Sequence, residues 1–486
     1  MTAFTPGTET ATRIADVEAK SIGLRKELGL VSLVLTQVMY VVGSAWVGTA
    51  AKLGPSHVVF WSLAILLFYL PQAAVVIHLN RRMPLEGGLY QWAKVGLGDF
   101  WGFLTAWNLW AYTILIMAVF GVVIATNLSY LIGPLGGSFV RASWYTPVVS
   151  SLAVVALTIV SLFGLRAGKW LQGLGGTSQF LTYLALIAAL VLAISRRTPA
   201  SARALEIATP AVTLYSLNIF GKMALGALSG FEYVAILAGE CRDPARTVGK
   251  SVLFAVPIIA AMFILGTTSV LAIVPPDRID LVSPIPQTLT MGFAGLGAGR
   301  IIVPSLIVAL LLRQCGNVAL IFAGNTRLPM VAGWDRLVPG WFTRLDPRFR
   351  TPRNSIFFVG GITLAMTLVG QIGVGVQEAF QLLENAAGIL YAFTYIALFA
   401  IPLFGAHRLG ARPPLWLQSA SAAGLLVSVL YSVLSIFPII DLRDPGQFAR
   451  KIVLTLAATT AVGLAIYAAG LSKGRELSRR RTAGAA

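Results

Sequence analysis

The stretch YVVGSAWVGTAAKLGP, from Tyr40 to Pro55, lies inside an apolar run long enough to cross a membrane, yet three glycines interrupt it. Each glycine weakens a helix by about 1 kcal/mol relative to alanine. In lipid, backbone groups that are freed from a helix must find partners in protein or in cavity water. The segment from Gly43 to Gly48 therefore predicts an interrupted membrane helix that lines a cavity.

The composition of the whole chain indicates whether it lies in water or in a membrane. The chain has 486 residues, of which 57% are hydrophobic and 12% are charged, and its mean hydropathy is +0.79. So few charges cannot cover the surface of a soluble protein of this size. Apolar stretches of about 20 residues, the length of a helix that crosses a bilayer, recur along the chain. The sequence therefore predicts an all-α polytopic membrane protein with twelve spans, near residues 28–52, 57–79, 100–132, 145–165, 177–195, 213–239, 250–274, 299–325, 355–372, 377–404, 414–438 and 450–472.

These spans form one membrane domain between two short tails. Residues 1–27 are predicted to be a cytoplasmic N-terminal tail, and residues 473–486 a basic cytoplasmic C-terminal tail. With the N-terminus inside, most of the 37 Lys and Arg residues fall on the cytoplasmic side, as the positive-inside rule requires. The net charge of +18 thus follows from topology, and nucleic-acid binding is not expected. We expect a multi-pass protein of the cell (inner) membrane with the lipid bilayer as its surroundings.

The sequence lacks the residue patterns that several other classes of function require. The two cysteines, Cys241 and Cys315, exclude a disulfide framework, and the three scattered histidines offer no metal-ligand spacing. No nucleophile and base set, HExxH motif or nucleotide-binding glycine loop is present. An enzyme, a primary pump, a metal site and a cofactor are therefore not expected.

A second interruption lies in the sixth span. The sequence GKMALGALSGFE, from Gly221 to Glu232, places Gly226 and Gly230 near its middle and an acid directly after them. The first and sixth spans correspond if spans one to ten, residues 28–404, are two five-helix repeats. Because five is odd, the second repeat is inverted, and residues 405–472 add two further spans. Inverted repeats with paired interrupted helices indicate a secondary transporter with its substrate near the midplane of the membrane.

Several motifs in this order resemble one family. They are GSA in the first span, PLEGGLYQWAKVGLG after the second, SGFE in the sixth, AGECRDPARTVGKS after it, and NTRLPMVAGWDRLVPGWFTRLDPRFRTPRNS after the eighth. The chain is similar in them to amino acid–polyamine–organocation permeases of the bacterial amino acid permease type. The resemblance covers spans one to ten and implies a LeuT-like fold and the uptake or exchange of amino acids, or less often of amines.

The interruptions also predict how a substrate is recognised. Amides at the start of the second half-helix form an anion site for an α-carboxylate, and carbonyls at the end of a half-helix in the sixth span suit an α-ammonium group. The resemblance implies that the third span supplies side-chain selectivity, and Trp46 is either a gate or a packing residue. The predicted substrate-binding residues are Gly43, Ser44, Ala45, Trp46, Thr113, Met117, Gly226, Ala227, Ser229 and Gly230.

Two positions depart from the family pattern. The usual small triplet Gly-Ser-Gly ends here in Ala45, and Gly226 stands where some exchangers carry a gating aromatic residue. A guanidinium-sized substrate clamped by that aromatic is therefore not expected.

Charged residues in the spans are candidates for coupling or gating, because each is costly unless it is paired or hydrated. Glu232 either takes up a coupling proton or braces the interrupted backbone. Arg313 and Glu384 either form a buried ion pair, or Arg313 faces the cavity and favours acidic substrates. Glu240 and its charged neighbours either latch an inner gate or lie in a solvated loop. Lys222 is expected to snorkel to water and to have no role.

The predicted function is that of a secondary active transporter for amino acids. Polyamine or amine transport and amino acid exchange are the alternatives within the same fold, and polyamines call for several cavity carboxylates that the sequence lacks. The coupling ion, a proton or sodium, stays open, as does a counter-substrate.

Overall fold

A computed structural model of the chain describes residues 29–83, 88–163, 166–197, 199–231, 244–331, 340–342, 344–349, 351–405, 407–408 and 412–483. Within these ranges every regular element is a helix. The predicted N-terminal tail, residues 1–27, lies outside them. The last helix runs to Ala483 and so includes residues of the predicted C-terminal tail.

The helices of the first half follow the predicted spans, with short helices between them. They are α1 (Leu30–Val41), α2 (Trp46–Ala51), α3 (His57–Ala64), α4 (Leu70–Arg82), α5 (Leu89–Leu97), α6 (Asp99–Ile132), α7 (Gly136–Arg141), α8 (Tyr145–Leu162), α9 (Arg166–Ser195) and α10 (Pro199–Ala204). A π-helical turn, Ile65–Tyr69, joins α3 to α4.

The second half has the same character. Its helices are α11 (Leu214–Gly221), α12 (Pro244–Ile273), α13 (Pro284–Gly292), α14 (Gly299–Val331), α15 (Arg353–Val369), α16 (Val376–Phe404), α17 (Leu415–Leu434) and α18 (Pro445–Ala483). A second π-helical turn, Lys222–Ala227, follows α11 directly.

Within the described residues, nine helices are long and apolar enough to cross a membrane. The count of twelve is thus not reproduced by continuous helices. The first predicted span is divided between α1 and α2, the sixth is described only as far as Phe231, and α15 has 17 residues. For the first span, the difference arises because a hydropathy run does not show where the backbone leaves the helical path.

Burial separates a central pair of helices from the periphery. In α6 and α16, 72% of the most apolar window is buried, against 22% in α8 and 11% in α18. The central two helices pack against each other, and α6 also packs against α14, where Asn127 Nδ2 donates to Gln314 Oε1 at 2.8 Å. The exposed leucine and valine side chains of α8 and α18 face outward, as lipid-facing residues do. The centre of the molecule therefore lies among α1, α6, α14 and α16.

Candidate functional site

The first span is interrupted between α1 and α2. Helix α1 ends at Val41, Val42 has an extended backbone with φ −81° and ψ 91°, and α2 begins at Trp46. The chain therefore leaves the helical path at Val42, directly before Gly43.

Side chains of α9 hold the freed carbonyls at the end of α1. Gln179 Nε2 donates to the Val42 carbonyl at 2.8 Å, and the Tyr183 hydroxyl donates to the Gly43 carbonyl at 3.3 Å. Arg313 from α14 donates in turn to Gln179 Oε1 at 2.5 Å. These bonds replace the helical partners that the interruption removes, which membrane burial requires.

The start of α2 leaves backbone donors open. In the part of the chain that the structure describes, no acceptor takes a hydrogen bond from the amides of Ser44, Ala45 or Trp46, whereas Gly48 and Thr49 both donate to the Ala45 carbonyl. Such amides, at the positive end of a helix, favour an anionic group.

The sixth span changes path at the corresponding place. Its π-helical turn ends at Ala227, and Gly230 has φ +108°, a backbone conformation that residues with a Cβ rarely adopt. The Gly230 amide donates to Tyr395 Oη at 2.9 Å, and Gln72 Nε2 donates to the Leu228 carbonyl at 2.5 Å. The unwound backbone is thus fixed by α16 on one side and by α4 on the other.

Trp46 connects the two interruptions. Its indole ring packs against Gly226, where an added Cβ would lie 2.8 Å from Cζ3 and 3.1 Å from Cζ2. The same ring packs against Gly43, where an added Cβ would lie 2.7 Å from Cδ1 and 2.9 Å from Nε1. The absence of a side chain at both glycines therefore provides the space that the indole occupies.

A cavity of about 150 Å³ lies between the two interruptions. Its floor and sides come from α1, from the residues between α1 and α2, and from residues 226–230, and its remaining walls come from α6, α14 and α16. Tyr112 and Tyr391 stack in one wall, with ring centroids 4.2 Å apart and planes 4° apart. The other side chains contributed by α6, α14 and α16 are Ile116, Val119, Phe120, Val123, Arg313, Gln314, Asn317, Ile321, Phe380 and Glu384.

The structure brings most of the predicted residues together in this cavity. Those that line it are Gly43, Ser44, Ala45, Trp46, Gly226, Ala227, Ser229, Gly230, Arg313 and Glu384. Glu232 and Glu240 lie outside the described residues.

Thr113 and Met117 do not line this cavity, although other residues of the third span do. The Thr113 hydroxyl donates to the carbonyl of Trp110 at 2.8 Å, and Met117 is buried in a separate cluster with Phe322. The lining residues of α6 are Tyr112, Ile116, Val119, Phe120 and Val123. Their spacing of three to four residues marks one helix face, and a shift by one position rotates a side chain by about 100°.

Arg313 and Glu384 do not form the buried ion pair considered from sequence. Arg313 bonds to Gln179, and within the described residues its Nε has no partner although it is buried. Glu384 instead interacts electrostatically with Lys222. Arg313 and Glu384 both line the cavity, so two charged side chains of opposite sign are available to a bound molecule.

The expectation that Lys222 snorkels to water is wrong. Its side chain is 3% exposed, its Nζ donates to Asn385 Oδ1, and it lies 6.0 Å from the centre of the Tyr431 ring. The sequence signal was its place directly before the interruption, between Gly221 and Met223.

A family model described as Amino acid permease matches residues 27–458 of this chain. The chain belongs to this family. The resemblance inferred from the motifs is thereby confirmed.

Relatives with curated descriptions are transporters of several kinds. The uncharacterized transporter Rv1999c of Mycobacterium tuberculosis is 27% identical over 357 residues, which cover 72% of this chain and 75% of that protein. The serine/threonine exchanger SteT of Bacillus subtilis is 23% identical over 391 residues, covering 78% and 83%. The probable agmatine/putrescine antiporter AguD of Lactococcus lactis is 21% identical over 446 residues, covering 89% and 92%. These proteins place the permease among membrane transporters of amino acids and amines.

The fold is shared with a solved structure. The crystal structure of MhsT in complex with L-phenylalanine matches this permease with a TM-score of 0.58 at 14% identity, covering 85% of this chain and 99% of MhsT. At this identity the likeness concerns the fold alone. The permease is an all-helical membrane protein with the LeuT-like fold expected from its motifs.

Proposed function

We propose that this permease is a secondary active transporter that moves amino acids across the cell membrane by alternating access. The observation that carries the proposal is the cavity, because it is lined by both interruptions and by the central helices α6, α14 and α16. Paired interrupted helices around a midplane cavity are typical of secondary transporters with inverted repeats. Both termini are then cytoplasmic, and the inner membrane is the expected location.

Backbone groups recognise the part that all amino acids share. The open amides of Ser44, Ala45 and Trp46 bind the α-carboxylate, and carbonyls near Gly226, Ala227 and Ser229 accept from the α-ammonium group. This arrangement needs no charged side chain for the zwitterion itself. The side chain of the substrate then lies against the walls of the cavity.

The size and lining of the cavity favour small or medium neutral amino acids. A water molecule takes about 15–30 Å³, so a cavity of about 150 Å³ holds roughly five to ten non-hydrogen atoms. That range spans glycine to leucine. Ile116, Phe120 and Phe380 supply apolar wall, which suits an uncharged side chain.

Movement of Trp46 provides the step between the two access states. Its ring contacts glycines from both interruptions, so a shift of either half-helix displaces it. We infer that Trp46 closes the cavity when substrate is bound. A proton, sodium or a second substrate can drive the cycle.

Amine transport is the second candidate, and the similarity to AguD over 89% of this chain favours it. The described part of the cavity argues against it, because Arg313 lines the wall and repels a di- or polyamine. Glu384 is partly neutralised by Lys222, so it offers such a cation little compensation.

A thermal-shift screen of the purified permease tests the substrate class. A ligand at 100 times its dissociation constant stabilises the folded state by about 2.7 kcal/mol, which raises the melting temperature measurably. We expect shifts with alanine, serine and leucine and none with agmatine or putrescine. Gly226→Leu, which fills the cavity, should abolish the shift, while Gly361→Leu, at a helical position with open space around it, should preserve it. Shifts with amines alone would replace the proposal by the second candidate.

A further inference from the structure

Glu384 is an acid without a hydrogen-bond donor among the described residues. It lies on α16, is 9% exposed, and lines the cavity. A carboxylate that accepts several hydrogen bonds is held in its charged form, whereas one without them depends on water and on nearby charges. The charge of Glu384 is therefore sensitive to what fills the cavity.

Within the described residues, the charge that interacts with Glu384 comes from a different part of the chain. Lys222 is the first residue of the π-helical turn that leads into the sixth-span interruption, and it is buried behind Glu384, outside the cavity lining. Its Nζ donates a hydrogen bond to Asn385 and, in the described part of the chain, does not form a direct ion pair with Glu384. Lys222 thus attracts the carboxylate through space but leaves its oxygens open to the cavity.

The other polar groups around Glu384 differ from Lys222. The phenol rings are neutral, and Arg313 is a cavity-lining cation that donates to the neutral side chain of Gln179 on α9. Among the described residues, the titratable or charged groups around Glu384 are Lys222 on the π-helical turn, Tyr431 on α17, Tyr112 on α6, Tyr391 on α16 and Arg313 on α14. Removal of cavity water leaves Lys222 as its main support.

We propose that Glu384 binds the proton that drives uptake, and that Lys222 keeps it charged until a substrate displaces the cavity water. Expelling that water makes the charged carboxylate costlier, so a proton passes from the outside medium to Glu384 as the substrate is enclosed. The protonated acid no longer attracts Lys222, so the hydrogen bond from Lys222 to Asn385 is what still ties the π-helical turn to α16, and the hold on the turn weakens. Opening to the cytoplasm rehydrates the cavity, and Glu384 returns its proton to the inner medium.

This inference rests on the proposed function, and it selects the proton from the possible driving ions. Lys222 and Glu384 lie on helices of the same inverted repeat but only Lys222 adjoins an interruption. The attraction between them therefore joins a part that moves in alternating access to one of the central helices.

The test measures two transport modes in proteoliposomes with a mixture of radiolabelled alanine, serine and leucine. The first mode is exchange against the same internal amino acids without a pH gradient. The second is accumulation driven by one pH unit, which supports about tenfold accumulation at one proton per substrate. Glu384→Gln should retain exchange and lose accumulation. Glu378→Gln, the same change on the same helix at a residue 3.9 Å from Lys451, should retain both.

A second variant keeps the test decisive if Glu384→Gln alone fails to fold. Glu384→Gln leaves Lys222 buried without its partner, so Lys222→Met combined with Glu384→Gln removes both charges together. The double variant should show exchange without accumulation. Accumulation by Glu384→Gln equal to that of the unaltered protein would overturn the inference, as would loss of exchange in both variants, because the acid would then serve substrate binding or structure.

The same two assays on the unaltered protein distinguish failure of the role of Glu384 from failure of the proposed function. Exchange together with proton-driven accumulation is the expected result. Exchange without any response to the pH gradient would overturn the role of Glu384 and leave the proposed function standing. Neither exchange nor accumulation of any amino acid would overturn the proposed function itself.

Discussion

Gly226→Ala tests the contact between the two interruptions with a single methyl group. The new Cβ would lie 2.8 Å from Cζ3 and 3.1 Å from Cζ2 of Trp46, and closest to Cη2. Real Cβ contacts are almost never shorter than 3.0 Å, so the indole or the half-helix must move. The far side of the same ring is limited by Gly43, where a Cβ would meet it at 2.7 Å.

The expected cost follows from overpacking. Extra methylene-sized groups in a packed site cost about 1–3 kcal/mol. If this cost falls on the substrate-bound state with Trp46 in place, apparent affinity drops roughly 5- to 150-fold. Truncation of Trp46 to alanine removes the obstacle, so the cost of Gly226→Ala should largely vanish in a Trp46→Ala background.

The assay is exchange of radiolabelled alanine, serine and leucine in proteoliposomes, measured for both single variants and the double variant. Gly361→Ala is the matched control, because it makes the same change in a helix with open space around the new Cβ. An equal loss in Gly361→Ala, or an undiminished penalty for Gly226→Ala when Trp46 is already alanine, would refute the reasoning.

Three further predictions address the backbone, the brace and the topology. Gly230→Ala should lower the melting temperature, because its φ of +108° costs an L-residue about 1–2 kcal/mol, and an unchanged value would contradict this strain. Gln179→Met should destabilise the detergent-solubilised protein by about 1–3 kcal/mol, since it leaves the Arg313 guanidinium without its recorded acceptor, and a stable variant would show that water serves instead. Single cysteines at the exposed residues Arg278 and Arg344, with both native cysteines replaced, should be labelled from opposite sides of the membrane. Labelling of both from one side would exclude the inverted repeat.

Part of the site was readable from the chain because its signals are local. Glycine runs weaken a helix wherever they occur, and the structure has an extended residue at Val42 beside Gly43 and a positive φ at Gly230. The motif order also identified the family over spans one to ten. Glu232, the acid next to the second interruption, lies outside the described residues and stays a candidate from sequence.

The rotation of helices could not be read in the same way. Helix α6 is apolar toward lipid and toward its neighbours, so its hydropathy does not mark which face meets the cavity. Thr113 and Met117 were therefore placed one position away from Tyr112 and Ile116, which form the wall. An error of one position rotates the assigned face by about 100° and changes no local property of the sequence.

By itself, then, the sequence determined the solvent, the all-helical class and the places where helices are weak, because composition and glycine content act within a few residues. Only the tertiary structure decided which charges meet. Arg313 lies beside Gln179 of α9, and Lys222 lies beside Asn385 and Glu384 of α16, each far away along the chain. A buried charge is stabilised by whatever packs against it, and that depends on how the helices are rotated and stacked around one cavity.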